Sequence, residues 1–342
     1  MTARFHPQPI NDPFGDPGIY IEFMFEKRAI LFDLGDLSAL PPRKLLRVSD
    51  VFVTHMHMDH FCGFDRLLRT SLGRERTLRL YGPSGLVEAV THKLAAYTWN
   101  LVQNYTTDLT LSVTELVSPA QQRTVEFHCR SRFRGEGERC RALAADQPLL
   151  DEQDFAVRAA ILDHGIPCLA FALEETMHVN IWKNRLEQLG LGVRPWLRDL
   201  KRAITGGEPD ETPIQATWKH DGHSKQRVVP LGELRHEAAT ITPGAKIVYV
   251  VDAAHTSANV QAITGLAKDA TVLFIETPFL HEDVSRASDR NHLTARQAGE
   301  IGRQARAERI VSFHYSPRYE GRGEELKSEA DDAFRGSVRT SG

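Results

Sequence analysis

Cysteine is scarce in this chain. Cys62, Cys129, Cys140 and Cys168 are the only four in 342 residues, and no two have CxxC spacing. That pattern builds neither a redox motif nor a zinc ribbon, and the thiols read as reduced. Cys62 stands two residues beyond a candidate metal ligand and reads as a small buried residue. No apolar run is long enough to cross a bilayer. The segment Met1 to Ile10 has no basic stretch followed by an apolar one, so no signal peptide is expected. Together these absences place the protein in the cytoplasm and away from membranes. Charge of one sign is not in excess either: 42 Lys and Arg stand against 45 Asp and Glu, a net charge of −3. A protein holding nucleic acid non-specifically would be strongly basic, so any nucleic acid here must be gripped by local patches. There is no internal repeat and no long low-complexity segment.

Short apolar runs are present instead, and they alternate with helical patterns. Ile19–Phe25, Ala29–Phe32 and Val51–Val53 read as strands, with Asp33-Leu34-Gly35-Asp36 as a turn and residues 64–69 as a helix. Phe155–Leu162 and Cys168–Leu173 read as two strands joined at His164-Gly165-Ile166-Pro167. Ile247–Val251, Thr271–Ile275 and Ile310–Phe313 are strands. Thr256–Ala267 and Thr294–Arg306 are helices, the second with Thr294 as N-cap. This alternation predicts an α/β fold. The whole chain, 1–342, is expected to be one domain, and residues 176–240 an arm or lid inserted in it. Within the insertion, Trp182–Leu189 and Trp196–Ile204 are short helices and Glu208–Gly232 is polar and turn-rich. Residues 93–150 show weak periodicity and a basic stretch from Arg130 to Arg141. Residues 336–342 are expected to fray.

The densest chemistry lies in Thr54-His55-Met56-His57-Met58-Asp59-His60. Three histidines and a carboxylate follow directly on an apolar strand. Imidazole and carboxylate are good donors to Zn²⁺ and related divalent ions. One mononuclear site cannot easily use all four groups, whereas two adjacent sites can. Later apolar strands each end in a ligand-type residue: Asp163-His164, Asp252, Glu276 and His314. In layered α/β folds, sites assemble at such strand ends. Each has a plainer alternative. His164 could be a turn residue, Asp252 a helix cap, Glu276 a solvated strand-end carboxylate, and His292 a residue at a helix start.

The run HxHxDH, followed in order by LDHGIP, VVD, IETPF, NHLTA and SFHYSPRY, resembles the ribonuclease Z branch of the metallo-β-lactamase superfamily, over roughly residues 19 to 334. The resemblance implies an αββα sandwich carrying an inserted arm. It implies that His55, His57 and His164 bind one metal, that Asp59, His60 and His314 bind a second, and that Asp252 bridges them. The ions are expected to be Zn²⁺, with Mn²⁺ or Fe²⁺ as alternatives. It makes His292 a residue beside the scissile phosphate and Glu276 a support for a histidine. The implied reaction is endonucleolytic removal of the 3′ trailer of precursor tRNA by a hydroxide activated between two metals, with Asp59 orienting the nucleophile and His292 stabilising or protonating the departing oxygen. Arg194, Arg198, Lys201 and Arg202 stand where the family's arm meets RNA and are candidate phosphate contacts, against the alternative of a solvated helix face. The analogy also implies a homodimer.

The sequence departs from the family at Ala253, which follows Asp252 where the family has Thr, and at Arg194, which precedes Pro195 where the family favours Gly. A phosphodiesterase or other ester hydrolase acting on a small molecule, and a non-catalytic nucleic-acid-binding protein, are the competing readings.

Overall fold

The computed structural model describes residues 4–24, 26–144, 147–193, 195–220 and 223–336. Two compact units emerge. One comprises Leu150–Val157 with Leu173–Ala245; the other comprises Arg4–Leu149, Arg158–Ala172 and the residues from Lys246 on.

The larger unit is built on two sheets. The first orders β1 (Phe5–Pro9), β2 (Ile19–Phe23), β3 (Ala29–Phe32), β4 (Val48–Phe52), β5 (Arg76–Pro83), β6 (Leu109–Ser118), β7 (Gln121–His128) and β8 (Gly135–Ala142) side by side. Strands β3 to β6 run parallel; the flanking pairs are antiparallel. Farther along the chain come β9 (Leu150–Asp151), β10 (Phe155–Asp163), β11 (Pro167–Glu175), β12 (Met177–Ile181), β13 (Pro213–His220), β14 (His223–Pro230), β15 (Ala239–Pro243), β16 (Lys246–Val250), β17 (Val272–Glu276) and β18 (Ile310–Phe313). The second sheet of the larger unit has the order β18-β17-β16-β11-β10, and its β16, β17 and β18 are parallel.

Strand side chains alternate between faces, and that alternation makes the layers. On β3 and β4, and just beyond β4, Leu31, Val51 and Val53 point into a cluster with Phe64, Leu67, Leu68, Leu86 and Val90 of the helices Phe64–Ser71 and Leu86–Ala95. Phe32 and Phe52 point the other way and meet Phe171 of the second sheet at 5.6 and 5.5 Å between ring centroids. On β16 and β17, Val248, Val250, Leu273 and Ile275 pack on Ile263, Ala298 and Ile301 of the outer helices. Tyr249 faces inward and lies 5.8 Å from Phe32. The larger unit is therefore a helix–sheet–sheet–helix sandwich.

The weakly periodic interval 93–150 holds β6, β7 and β8, which extend the first sheet. The signal was poor because β8 (GEGERCRA) is exposed along its whole length and is joined to β7 by backbone pairing, so no apolar alternation marks it.

The smaller unit has its own core. Leu186, Trp196, Leu200, Ile204, Ile214, Val229, Leu231 and Leu234 are buried together. The helices Lys183–Gln188 and Trp196–Thr205 match expectation. The stretch read as polar and turn-rich is instead a hairpin, β13 paired with β14, followed by a helix, Leu231–Ala238. Its alternation is half concealed, because the outward positions carry Gln215, Thr217, Lys225 and Arg227. Pairing of β12 with β15 joins the two ends of the interval 177–243. Residues 337–342 lie outside the described residues.

Candidate metal centre

Four strand ends and one loop supply the polar groups. β4 runs out through Val53 and Thr54 into His55 and His57, and His57 is the N-cap residue of the short helix Met58–Phe61, which carries Asp59 and His60. The helix is held close to the end of β3: Leu34 N donates to His60 O at 2.9 Å, and Gly63 N donates to Leu34 O at 2.8 Å. This approach demands glycine. A Cβ at Gly63 would lie 2.2 Å from Gly35 O, and one at Gly35 would lie 2.7 Å from Asp59 O. His164 follows β10. Asp252, Glu276 and His314 stand at the adjacent ends of the parallel strands β16, β17 and β18.

Asp252 and His314 both have positive φ, 51° and 58°. Non-glycine residues adopt this conformation at a cost, and it persists where the surroundings impose it. Here it turns each side chain from the strand direction toward a common centre.

That centre is Asp252, which is buried. Its Oδ2 lies 3.3 Å from His55 Nε2, 3.5 Å from His60 Nε2 and 3.2 Å from His164 Nε2. Its Oδ1 is 3.1 Å from His314 Nδ1. Asp59 Oδ2 faces His60 Nε2 at 3.4 Å and His314 Nε2 at 3.5 Å. Donor atoms of His55, His57, His164 and Asp252 all lie within 4.8 Å of one another, and so do those of Asp59, His60 and His314. His55 Nε2, His60 Nε2 and Asp252 Oδ1 are buried and make no hydrogen bond among the described residues. Buried polar atoms are rarely left so. Converging imidazole and carboxylate donors with orphaned tips fit divalent cations.

The electrostatics agree. Burial opposes charge on Asp252, but His314, His55 and His60 hold its carboxyl well below the usual range. Asp59, also opposed by burial, is pulled down by the His314 and His60 imidazoles that face it. Against burial, Asp33, Asp252 and Asp59 keep His60 well above its ordinary value. Asp252, Asp59 and Glu276 push His314 up to about 10, also against burial. A positive charge held between ionised carboxylates is what a cation would replace.

Glu276 and His292 are differently placed. Glu276 is fully buried. Its Oε1 accepts from Ala253 N and Leu293 N, both at 3.0 Å, and its Oε2 accepts from His292 Nδ1 at 2.9 Å. Its oxygens are thus committed to the residues that follow Asp252 and flank His292. Although burial works against ionisation, His292 draws its carboxyl down to about 2. His292 is in turn raised by Glu276 against the opposing effect of burial. It precedes the helix Ala295–Gln304, whose cap is Thr294 with Gln297 in a capping box. Asp252 caps nothing, since the next helix, Ser257–Leu266, is capped by Thr256.

All nine candidates, His55, His57, Asp59, His60, His164, Asp252, Glu276, His292 and His314, therefore lie together. Arg198, Lys201 and Arg202 belong to the other unit: Arg198 and Arg202 are exposed on the face of the helix Trp196–Thr205 opposite its buried Leu200 and Ile204, and Lys201 is half-buried on its flank. Arg194 lies outside the described residues.

The structure also adds residues. Asp33, buried with φ of 60°, accepts from Thr54 N at 2.7 Å, from Thr54 Oγ1 at 2.9 Å and from His60 Nδ1 at 2.9 Å. Asn291 O is 2.9 Å from His164 Nδ1 and fixes that ring. Asp33 had a signal, for it too is a carboxylate directly after an apolar strand; the turn reading of residues 33–36 absorbed it.

The chain is similar to Ribonuclease Z of Deinococcus radiodurans, 28% identical over 293 residues, covering 85% of this chain and 83% of that protein. It is 27% identical to Ribonuclease Z of Enterococcus faecalis over 329 residues, 93% of this chain and 87% of the other. Among solved structures, the metallo-β-lactamase fold protein YhfI of Bacillus subtilis superimposes with a TM-score of 0.53 at 15% identity, covering 96% of this chain and 92% of that one. No protein-family model matches. The fold is that of the metallo-β-lactamases, as the sequence motifs implied.

Proposed function

We propose that this protein is a ribonuclease Z-like, metal-dependent phosphodiesterase that removes the 3′ trailer of precursor tRNA by endonucleolytic cleavage. The observation that carries the reading is the convergence of two donor sets on Asp252, beside which His292, grouped in space with Asp252, Glu276 and His314, has its Nδ1 bonded to Glu276. Likeness to the two Ribonuclease Z proteins over most of each chain supplies the substrate class.

His55, His57 and His164 would hold one ion, and Asp59, His60 and His314 the other, with Asp252 shared. Bound divalent metals, for which this donor set suits Zn²⁺, Mn²⁺ or Fe²⁺, supply an activated water and neutralise charge on the phosphate. Asp59 is the most open of the carboxylates, its side chain 44% exposed. It orients the attacking water and accepts its proton. His292 has Nδ1 committed to Glu276, which leaves Nε2 to donate to the departing oxygen. Glu276 orients that ring and favours its charged form. Arg198, Lys201 and Arg202 would contact phosphates of the RNA. Family analogy adds a homodimer, and the cytoplasmic location expected from the sequence is kept as part of this reading. Among the described residues no helix is long and apolar enough to cross a membrane.

The test is cleavage of a 3′-extended precursor tRNA by the metal-loaded protein, with the product end mapped. The expected product is a single cut after the discriminator base, leaving a 3′-hydroxyl. Hydrolysis of a generic phosphodiester with the precursor left intact would overturn the tRNA assignment and move the substrate to a small diester.

A further inference from the structure

Outside the ligand set, two side chains of the second sheet reach the groups that orient the histidines of the first: Cys168, whose Sγ lies 3.8 Å from His55 Nδ1, and Tyr249. Tyr249 sits in the middle of β16, fully buried, with its ring stacked on Phe313 at 5.3 Å and tilted against Phe32 at 5.8 Å. Its hydroxyl donates to Asp33 Oδ2 at 3.0 Å, a contact spanning 216 residues of sequence. The same oxygen takes His60 Nδ1 directly and the Thr54 hydroxyl at 2.9 Å. Because the Thr54 hydroxyl spends its proton on Asp33, its oxygen is free to accept from His55 Nδ1, 3.1 Å away. Asp33 Oδ2 therefore orients one imidazole from each donor set: His60 by a direct bond, and His55 through Thr54. In both rings this leaves Nε2 aimed at Asp252, and those are the two imidazole atoms left buried without a hydrogen bond.

A carboxylate that fixes two rings must itself be fixed. The backbone N–H of Thr54 pins Oδ1 at 2.7 Å, from the first sheet. Tyr249 alone among these donors comes from the second sheet, the one whose strand ends carry Asp252, Glu276 and His314. We propose that Tyr249 is a positioning residue: its hydroxyl ties the Asp33 carboxylate, and through it His55 and His60, to the sheet that bears Asp252, and so sets the spacing of the two metal sites. The proposal rests on the two-metal reading. Outer hydrogen-bond partners of ligating histidines commonly change metal affinity by about 10–100-fold.

The experiment strips the full-length protein with chelator, titrates it with Zn²⁺, and reads both affinities and, after Co²⁺ substitution, the visible absorption bands. The wild type should bind two ions; if it does not, the metal reading itself fails before any variant is considered. Tyr249→Phe keeps the ring and its packing. It should still bind two ions, each about tenfold more weakly, with shifted Co²⁺ bands. Unchanged affinities and bands would overturn the role of the hydroxyl. If Tyr249→Phe does not fold, Thr54 carries the test. Thr54→Val should weaken binding and Thr54→Ser restore it, and equal binding by the two would break the relay on which the proposal depends.

Discussion

The strand ends of the larger unit and the helix Trp196–Thr205 of the smaller one both carry dense charge, but the charge is held differently. Around Asp252, the imidazoles of His55, His60, His164 and His314 lie 3.1–3.5 Å from its carboxylate, and His60 and His164 are also held through Nδ1, by Asp33 and by Asn291 O. On the helix, Arg198 is 64% exposed and its ion pair with Asp199 is stretched to 4.0 Å. Exposed pairs of that kind contribute little, about 0–1 kcal/mol. One region is organised by chemistry that tolerates little displacement. The other is organised by net attraction, which many arrangements satisfy. Substitutions should therefore act steeply and singly in the first, and shallowly and additively in the second.

The sharpest test of the contrast is Asp252→Asn. The amide keeps the shape but loses the charge that both donor sets share. Loss of an outer partner costs about 10–100-fold in metal affinity or activity, so loss of the shared ligand should cost more, and Zn²⁺ content measured after dialysis should fall with turnover. Retention of two ions per chain would contradict the bridging role. His292→Ala comes next. Turnover should fall by roughly 10²–10⁴-fold, the range for a positioned proton donor, while metal content stays at the wild-type level. A variant that loses metal would make His292 a ligand. Glu276→Gln, which leaves His292 without its carboxylate, should fall in the same direction and shift the alkaline limb of the pH–rate profile to lower pH.

How far these residues could be read from sequence follows the same contrast. The donors themselves were legible because each follows an apolar strand or sits in HxHxDH, and strand ends are where this fold assembles a site. What fixes the donors was not legible. Tyr249 looks like any apolar residue of a buried strand, and its partner Asp33 lies 216 residues away. Asn291 acts through its carbonyl oxygen, which no side-chain pattern reports. Among the elements, β8 was missed because its pairing is carried by backbone. The hairpin of β13 and β14 was missed although Asp221-Gly222, a favoured two-residue hairpin connection in sequence, separates the two runs.

Metal removal gives a prediction of intermediate size. In the metal-free protein His314 is raised from 6.5 to about 10. A raised folded-state value contributes stability that is complete below about 6.5 and disappears as pH rises through about 10. Glu276, lowered from 4.5 to about 2, contributes above about 4.5 and loses its effect as pH falls toward 2. Metal binding follows the opposite course to His314, because its imidazole must shed the proton first. The gap in Tm between loaded and chelator-stripped protein should therefore widen from pH 6.5 toward pH 10. A constant gap would mean that His314 does not exchange a proton for metal.

The smallest effects belong to the helix. Arg198→Ala, Lys201→Ala and Arg202→Ala should each weaken binding of precursor tRNA without altering hydrolysis of a small diester, because a phosphate contact adds affinity and no chemistry. Counterion release makes the signature specific. Each lost contact should lower the slope of log K against log salt by about 0.7–0.9, and the three substitutions together should lower it by about three times as much. Additivity is expected because phosphate contacts made at separate positions act nearly independently. If one of the three instead abolished cleavage, that side chain would be acting as Asp252 and His292 do, through a unique geometry. If none changed the salt slope, the helix would be a solvated face and the tRNA would be held elsewhere.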